Sequence, residues 1–181
     1  GLWVKGDCNG LGTMTYARGS SYEGQWVDSK RKGHGKMTWK SGQFYDGQWA
    51  NDNYNGLGKM TYASGEVYQG HWTKGKRSGQ GKMTYANGSV YDGNWADGKR
   101  SGLGKNTYAN KDVYEGLWAE NKRSGLGTNT WADGRVYVGP WANDKQHGRG
   151  TKTYPADSTS PARVVEAKWV NGKFVDPCSI M

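Results

Sequence analysis

The sequence predicts an all-β fold: an elongated, single-layer antiparallel solenoid of stacked 23-residue β-hairpins, twisted into a trough. Three observations carry this expectation. The string Tyr-x-Gly-x-Trp begins at Tyr22 and returns every 23 residues, at Tyr45, Tyr68, Tyr91, Tyr114 and Tyr137. Between these strings lies Gly-x-Gly, starting at Gly10, Gly33, Gly56, Gly79, Gly102, Gly125 and Gly148, with an aromatic residue four positions after its second glycine. Along both strings, polar residues alternate with aromatic, Met or Gly positions, which is the period of a strand. Composition agrees. The 181 residues include 30 Gly, 10 Trp and 12 Tyr while only 34% are hydrophobic, so the core must be aromatic rings laid on bare backbone. A disordered chain would be poor in aromatics.

The elements follow in order. Gly1 and Trp3 align with Gly24 and Trp26, so the chain opens inside a repeat and further residues are expected upstream. In a complete repeat, Tyr45, Gly47 and Trp49 share one face of a strand. Gly56, Gly58, Met60 and Tyr62 share a face of the next strand, with Lys59 and Thr61 opposite. Ala63-Ser64-Gly65 turns the chain, and the equivalent Asn87-Gly88 and Asp133-Gly134 are strong hairpin signals that call for positive φ at both central residues. Lys111 replaces the loop glycine once. Residues 1–154 thus read as seven hairpins, the first truncated at its start. Their structural residues are Tyr22 and Trp26, Tyr45 and Trp49, Tyr68 and Trp72, Tyr91 and Trp95, Tyr114 and Trp118, and Tyr137 and Trp141. After Tyr154 comes a turn-rich insertion, and Val165-Glu166-Ala167-Lys168-Trp169 echoes the aromatic string, so residues 155–175 read as insertion and capping strand and 176–181 as a tail.

The unit Tyr-Glu-Gly-x-Trp…Gly-x-Gly-Lys-Met-Thr-Tyr…Asn-Gly resembles the MORN repeat (membrane occupation and recognition nexus) over residues 1 to 154. The resemblance implies an elongated β-hairpin array that serves as a scaffold on membranes, cytoskeleton, cilia or partner proteins, sometimes fused to an enzyme.

No catalytic, cofactor or metal constellation is expected. His34, His71 and His147 occupy variable slots of different repeats, too far apart to share a site. The Gly-x-Gly pairs recur inside strands and lack the Gly-Lys-Ser/Thr of a phosphate loop. Glu23, Asp46, Asp92 and Glu115 recur at one repeat position, about 10 Å apart by strand spacing, which leaves no close acid pair. Thr15, Thr38, Thr61, Thr84, Thr107, Thr130 and Thr153 form a ladder on the face opposite the rings. Strand propensity explains that ladder, and Lys36, Lys59, Lys82 and Lys105 interrupt any flat ice-binding array.

Charge is more informative. The net charge is +9, and the loops after each tryptophan carry Lys30, Arg31 and Lys32, Lys76 and Arg77, Lys99 and Arg100, Lys122 and Arg123, and Lys145. Stacking places them on one long edge, where they either protect the sheet from edge pairing or attract anionic phospholipid or an acidic partner. Nucleic acid is disfavoured because the aromatics are committed to packing. The cysteines, Cys8 and Cys178, make no disulfide framework, which fits a cytoplasmic setting, and no apolar run is long enough for a transmembrane segment. Cys178-Ser179-Ile180-Met181 fits a prenylation signal, with an untethered tail as the alternative. Two functional readings follow. The first is a non-catalytic scaffold that binds a helix or extended segment of a protein partner in the trough, peripheral to a membrane or on cytoskeleton or cilium. The second is the targeting or regulatory region of a larger enzyme of the lipid kinase or methyltransferase type.

Overall fold

The structure, a computed structural model, describes residues 2–4 and 7–177, with side chains from 7 to 175. Every helix or strand among the described residues is a strand. The chain divides into two compact units, Gly1–Ala86 with Trp95–Gly98, and Asn87–Asn94 with Lys99–Met181. In the first, β1 (Leu2–Val4) is followed by β2 (Asp7–Thr15), β3 (Ser21–Val27), β4 (Lys30–Thr38), β5 (Phe44–Ala50), β6 (Asn53–Thr61), β7 (Val67–Thr73) and β8 (Lys76–Thr84), each antiparallel to the strand before it. β9 (Val90–Ala96) contributes residues to both units. The second unit continues with β10 (Lys99–Thr107), β11 (Val113–Ala119), β12 (Lys122–Thr130) and β13 (Val136–Ala142). It ends with β14 (Lys145–Gln146), β15 (Gly148–Tyr154), β16 (Arg163–Val170) and β17 (Lys173–Pro177), again antiparallel in succession, with β13 pairing both β14 and β15. This is the all-β stack of hairpins that the period requires.

Register lines equivalent residues up across each sheet. In the first unit Met37 faces Tyr45, which faces Met60, which faces Tyr68, and Gly35 faces Gly47, which faces Gly58. In the second, Asn106, Tyr114, Asn129, Tyr137 and Lys152 form the matching row. The two glycines of each Gly-x-Gly have different causes. Between β3 and β4 the register shifts, with more residues spent on β4 than on β3, and Gly33 absorbs the bulge at a φ of +72°. Its neighbour Gly35 is instead a site of close approach, described below.

The turn assignment differs from the sequence expectation. Paired positive φ angles occur in the loops after the tryptophans, as at Asn51 (47°) and Asp52 (65°), or Asp97 (48°) and Gly98 (82°). These are the two-residue turns whose twist matches the strands. At Asp133-Gly134 only the glycine has positive φ, +85°. There Gly134 N–H donates to Trp131 O at 2.9 Å and Trp131 N–H to Arg135 O at 2.9 Å, a three-residue loop closed by a left-handed residue. Lys111 fills that left-handed position at φ 74° with the same bonds, to Tyr108 O at 2.9 Å. Lys111→Gly is therefore expected to stabilise the second unit by about 1 kcal/mol, since a Cβ is disfavoured there. A melting temperature that is unchanged or lower would contradict this.

The C-terminal segment, read from sequence as one capping strand, is a hairpin. Asn171 (φ 51°) and Gly172 (φ 80°) form another two-residue turn, and β17 returns along β16. Val165 stands in the tyrosine slot and Ala167 in the glycine slot, and Ala167 is buried at 1% exposure. A methyl group is tolerated because no tyrosine ring lies on that backbone.

Candidate functional site

The aromatic face is built by one contact set, repeated. Tyr45 is fully buried, and its ring lies over Gly47 and Gly58, the facing pair of β5 and β6. Its hydroxyl donates to Gln48 O at 2.9 Å, and the other tyrosines of the strings make the same bond to the residue three positions on, as Tyr114 does to Leu117 O. Trp49, Trp72, Trp118 and Trp141 each meet the tyrosine of the same string and that of the preceding one edge-on. Trp49 packs 5.2 Å from Tyr45 and 5.3 Å from Tyr22, and Trp141 packs 5.3 Å from Tyr137 and Tyr114. Their indole N–H groups donate to the carbonyl of the second glycine of the previous Gly-x-Gly, Trp49 to Gly35 O at 2.8 Å and Trp118 to Gly104 O at 3.0 Å. Edge-to-face pairs add about 1 kcal/mol each beyond area burial. Burial pushes the Tyr22, Tyr54 and Tyr137 phenols up to about 12, and those of Tyr45, Tyr68 and Tyr114 higher still.

The basic edge separates into two populations. The arginines turn onto the aromatic face. Arg31 lies 4.3 Å from the Trp49 ring centroid, Arg77 4.2 Å from Trp95, Arg100 4.2 Å from Trp118 and Arg123 4.1 Å from Trp141. Each also donates to the loop of the following repeat, as Arg123 Nη2 does to Asp144 O at 2.7 Å and Nε to Asp144 Oδ1 at 3.3 Å. The Arg31 bonds hold the Asp52 carboxyl below its ordinary value against the opposing effect of burial. In the slot of these arginines, Tyr54 stacks on Tyr45 at 4.1 Å, and Gln146 leaves its Nε2 buried with no partner. The lysines stay outside. Lys30, Lys32, Lys76, Lys99, Lys122 and Lys145 are exposed, with Lys76 paired to Asp97 at 3.1 Å and Lys99 paired to Glu120. Arg123→Glu is expected to cost about 2–3 kcal/mol, because a carboxylate would face the negative face of Trp141 and lose the bonds to the loop. Lys122→Glu should stay within about 0.5 kcal/mol. Equal shifts in melting temperature would contradict this division.

A third feature escaped the sequence reading. The buried slot held by Met37, Met60 and Met83 is held by Asn106 and Asn129 in the second unit, each 2% exposed, and by Lys152 after them. Asn129 Oδ1 accepts from Arg123 Nη1 at 3.3 Å, and Asn106 Oδ1 from Arg100 Nη1 at 3.5 Å. Two residues on from each stands a half-buried ring, Tyr108, Trp131 or Tyr154. Tyr108, Arg123, Asn129 and Trp131 line a cleft of about 480 Å³ with Asn110 and Asp112 at its rim. The signal was available: Asn breaks the Met series at Gly-Lys-Asn-Thr and Gly-Thr-Asn-Thr.

The opposite face mixes exposed aliphatic and basic side chains. Leu11 and Leu57 in the first unit and Leu103, Leu117, Leu126 and Val138 in the second are exposed there, beside outward lysines such as Lys36, Lys59 and Lys105. His34 sits 3.3 Å from Asp46, and His71 contacts Gln80 O. Among the described residues, no three His, Cys, Asp or Glu side chains are grouped to hold a metal ion, and no helix is long and apolar enough to cross a membrane. Cys178, the lipidation candidate, lies outside the described residues.

Comparison with known proteins agrees with this architecture. No curated protein sequence matches the chain significantly. Among solved structures, the TCP domain of Drosophila melanogaster SAS-4 (dCPAP), in complex with a proline-rich motif of Ana2 (dSTIL), superposes with a TM-score of 0.50 at 13% identity, covering 86% of this chain and 83% of that one. The TCP10 domain of Danio rerio CPAP, in complex with a STIL peptide, gives a TM-score of 0.49 at 13% identity, covering 90% and 70%. The family description "MORN repeat" matches residues 1–21, 22–44, 45–67, 68–90, 91–113, 114–134 and 137–159, so the chain belongs to the MORN-repeat family.

Proposed function

We propose that this chain is a non-catalytic scaffold that binds a segment of a protein partner across its aromatic face. The observation that carries the reading is the second row of rings. Tyr22, Tyr45 and their equivalents are closed off in the core, but Trp39 and Tyr62 in the first unit, and Tyr108, Trp131 and Tyr154 in the second, keep part of each ring open to solvent. Half-exposed aromatics in a row, beside donors such as Asn129, are what partner-binding faces use. Membership of the MORN family supports a scaffold. So does the shared sheet architecture with the Drosophila domain, which is itself in complex with a peptide motif. A photo-crosslinking residue placed at Tyr62 or Tyr108 should capture a partner from the native source, and one at Lys36 or Glu115 on the opposite face should not. Capture from the opposite face alone would overturn the reading.

A second reading, contact with anionic phospholipid, is favoured by the lysines that make no ion pair among the described residues, Lys30, Lys32, Lys122 and Lys145. Each lysine near such a surface contributes about 1 kcal/mol. Reversing these four to Glu tests it without disturbing the stacked arginines. Sedimentation with phosphatidylserine vesicles at low salt should fall in the variant, and wild-type chain that does not sediment would remove the reading. Placement at a membrane or on the cytoskeleton would follow from whichever partner is bound, as would service to a larger enzyme.

A further inference from the structure

We propose that the aromatic face of the second unit binds a proline-rich segment in the polyproline II conformation, three residues to each repeat, along Tyr108, Trp131 and Tyr154. This rests on the scaffold reading and names the chemistry of the partner.

The register supplies the ruler. Asn106, Asn129 and Lys152 lie two strands apart in one row, and Tyr108, Trp131 and Tyr154 follow two residues on. Two strands span about 9.6 Å. A polyproline II helix rises about 3.1 Å per residue with three residues per turn, so the same side recurs every ~9.3 Å. A proline at every third position therefore meets one ring in each repeat.

The donors supply the polarity. A polyproline II chain has no internal hydrogen bonds, and each proline keeps a carbonyl acceptor without an N–H to match. Asn129 uses its Oδ1 for Arg123, and its Nδ2 has no partner among the described residues, as is also true of Asn106 beside Arg100. Lys152 Nζ lies 4.9 Å from the Trp131 centroid and 5.3 Å from Tyr154, between two plates. Tyr108 and Trp131 thus offer ring surface for a pyrrolidine and Asn129 a donor for a carbonyl, and Arg163, 4.3 Å from the Tyr154 centroid, adds a second cation at the third ring. The cleft of about 480 Å³ between Tyr108 and Trp131 is one such subsite. A helix would satisfy its own carbonyls and leave these amides idle, and an added β-strand needs a sheet edge rather than a face. In the first unit the donor slots hold Met37, Met60 and Met83, so the donors belong to the second unit alone among the described residues.

The test is calorimetric titration of the whole chain with three peptides: one with proline at every third position, its alanine-substituted counterpart, and an amphipathic helical peptide. The proline peptide should bind, and alanine substitution should weaken it by about tenfold. The double variant Asn106→Met/Asn129→Met should also weaken it by about tenfold, through two lost donors. Methionine is the residue the same slot holds in the first unit, where Arg31 Nη1 packs against Met37 Sδ at 4.0 Å, so the double variant is expected to fold. Trp131→Ala provides a second loss-of-binding variant, and Met60→Leu in the first unit should leave affinity unchanged. Absence of proline-peptide binding, or equal affinity in the double variant, overturns the proposal. If the helical peptide binds and the proline peptide does not, this inference fails while the scaffold reading stands.

Discussion

Gly58→Ala is expected to cost the first unit more than about 3 kcal/mol, far beyond an ordinary glycine-to-alanine change in a strand. The backbone of Gly58 is not in the left-handed region, so conformational preference contributes little. The cost is steric: a Cβ there would stand 2.2 Å from Tyr45 Oη, 2.5 Å from Cζ and 2.6 Å from Cε2. The ring has nowhere to go. It is fully buried, held by its bond to Gln48 O and by edge contacts to Trp49 and Trp72. Moving it would break contacts in two hairpins at once. Gly42→Ala is the control. Its added Cβ meets nothing within 4 Å, but its φ is +85°, so it should cost about 1 kcal/mol through backbone strain alone. Denaturant unfolding of both variants separates the two causes. A Gly58→Ala midpoint no lower than that of Gly42→Ala would show that the ring is not seated as described.

Much of this arrangement was legible in the sequence. Two-residue alternation through Tyr45, Gly47 and Trp49 fixes the buried face, and the 23-residue recurrence fixes the stacking. The turns were harder, since Asn-Gly occurs in either kind of hairpin loop and only the register decides which loop needs two left-handed residues. Glu120-Asn121 and Asp28-Ser29 carry that geometry without a glycine, so composition gives no warning. The arginines were hidden by their lysine neighbours, because a basic dipeptide reads as one patch. Yet alternation puts Arg31 in phase with Gly35 and Met37 and puts Lys30 and Lys32 out of phase, so the same period separates stacked cation from solvated one. The division into two units has no sequence marker, since the repeat passes through residues 87–98 without a break in period.

The second large effect is alkaline. Burial raises the Tyr22, Tyr54 and Tyr137 phenols to about 12 and those of Tyr45, Tyr68 and Tyr114 beyond that, against about 10 in the unfolded chain. The sign follows from which state holds the proton longer. Below about pH 10 both states are neutral and the contribution is complete; above it the unfolded chain ionises first, and stability falls as pH rises through the folded values. Each tyrosine contributes a slope of about 1.4 kcal/mol per pH unit in that window. Both units contain such tyrosines, so both should fail. Ionisation also strikes the hydrogen bond, because a phenolate cannot donate to Gln48 O or Leu117 O and would face those carbonyls as a like charge. The expected result is a steep loss of β-sheet circular dichroism between about pH 10 and 12, coincident with the rise of phenolate absorbance. Phenolate absorbance that saturates near pH 10 with the sheet intact would mean the rings are open to hydroxide, and the aromatic ladder would not be the core.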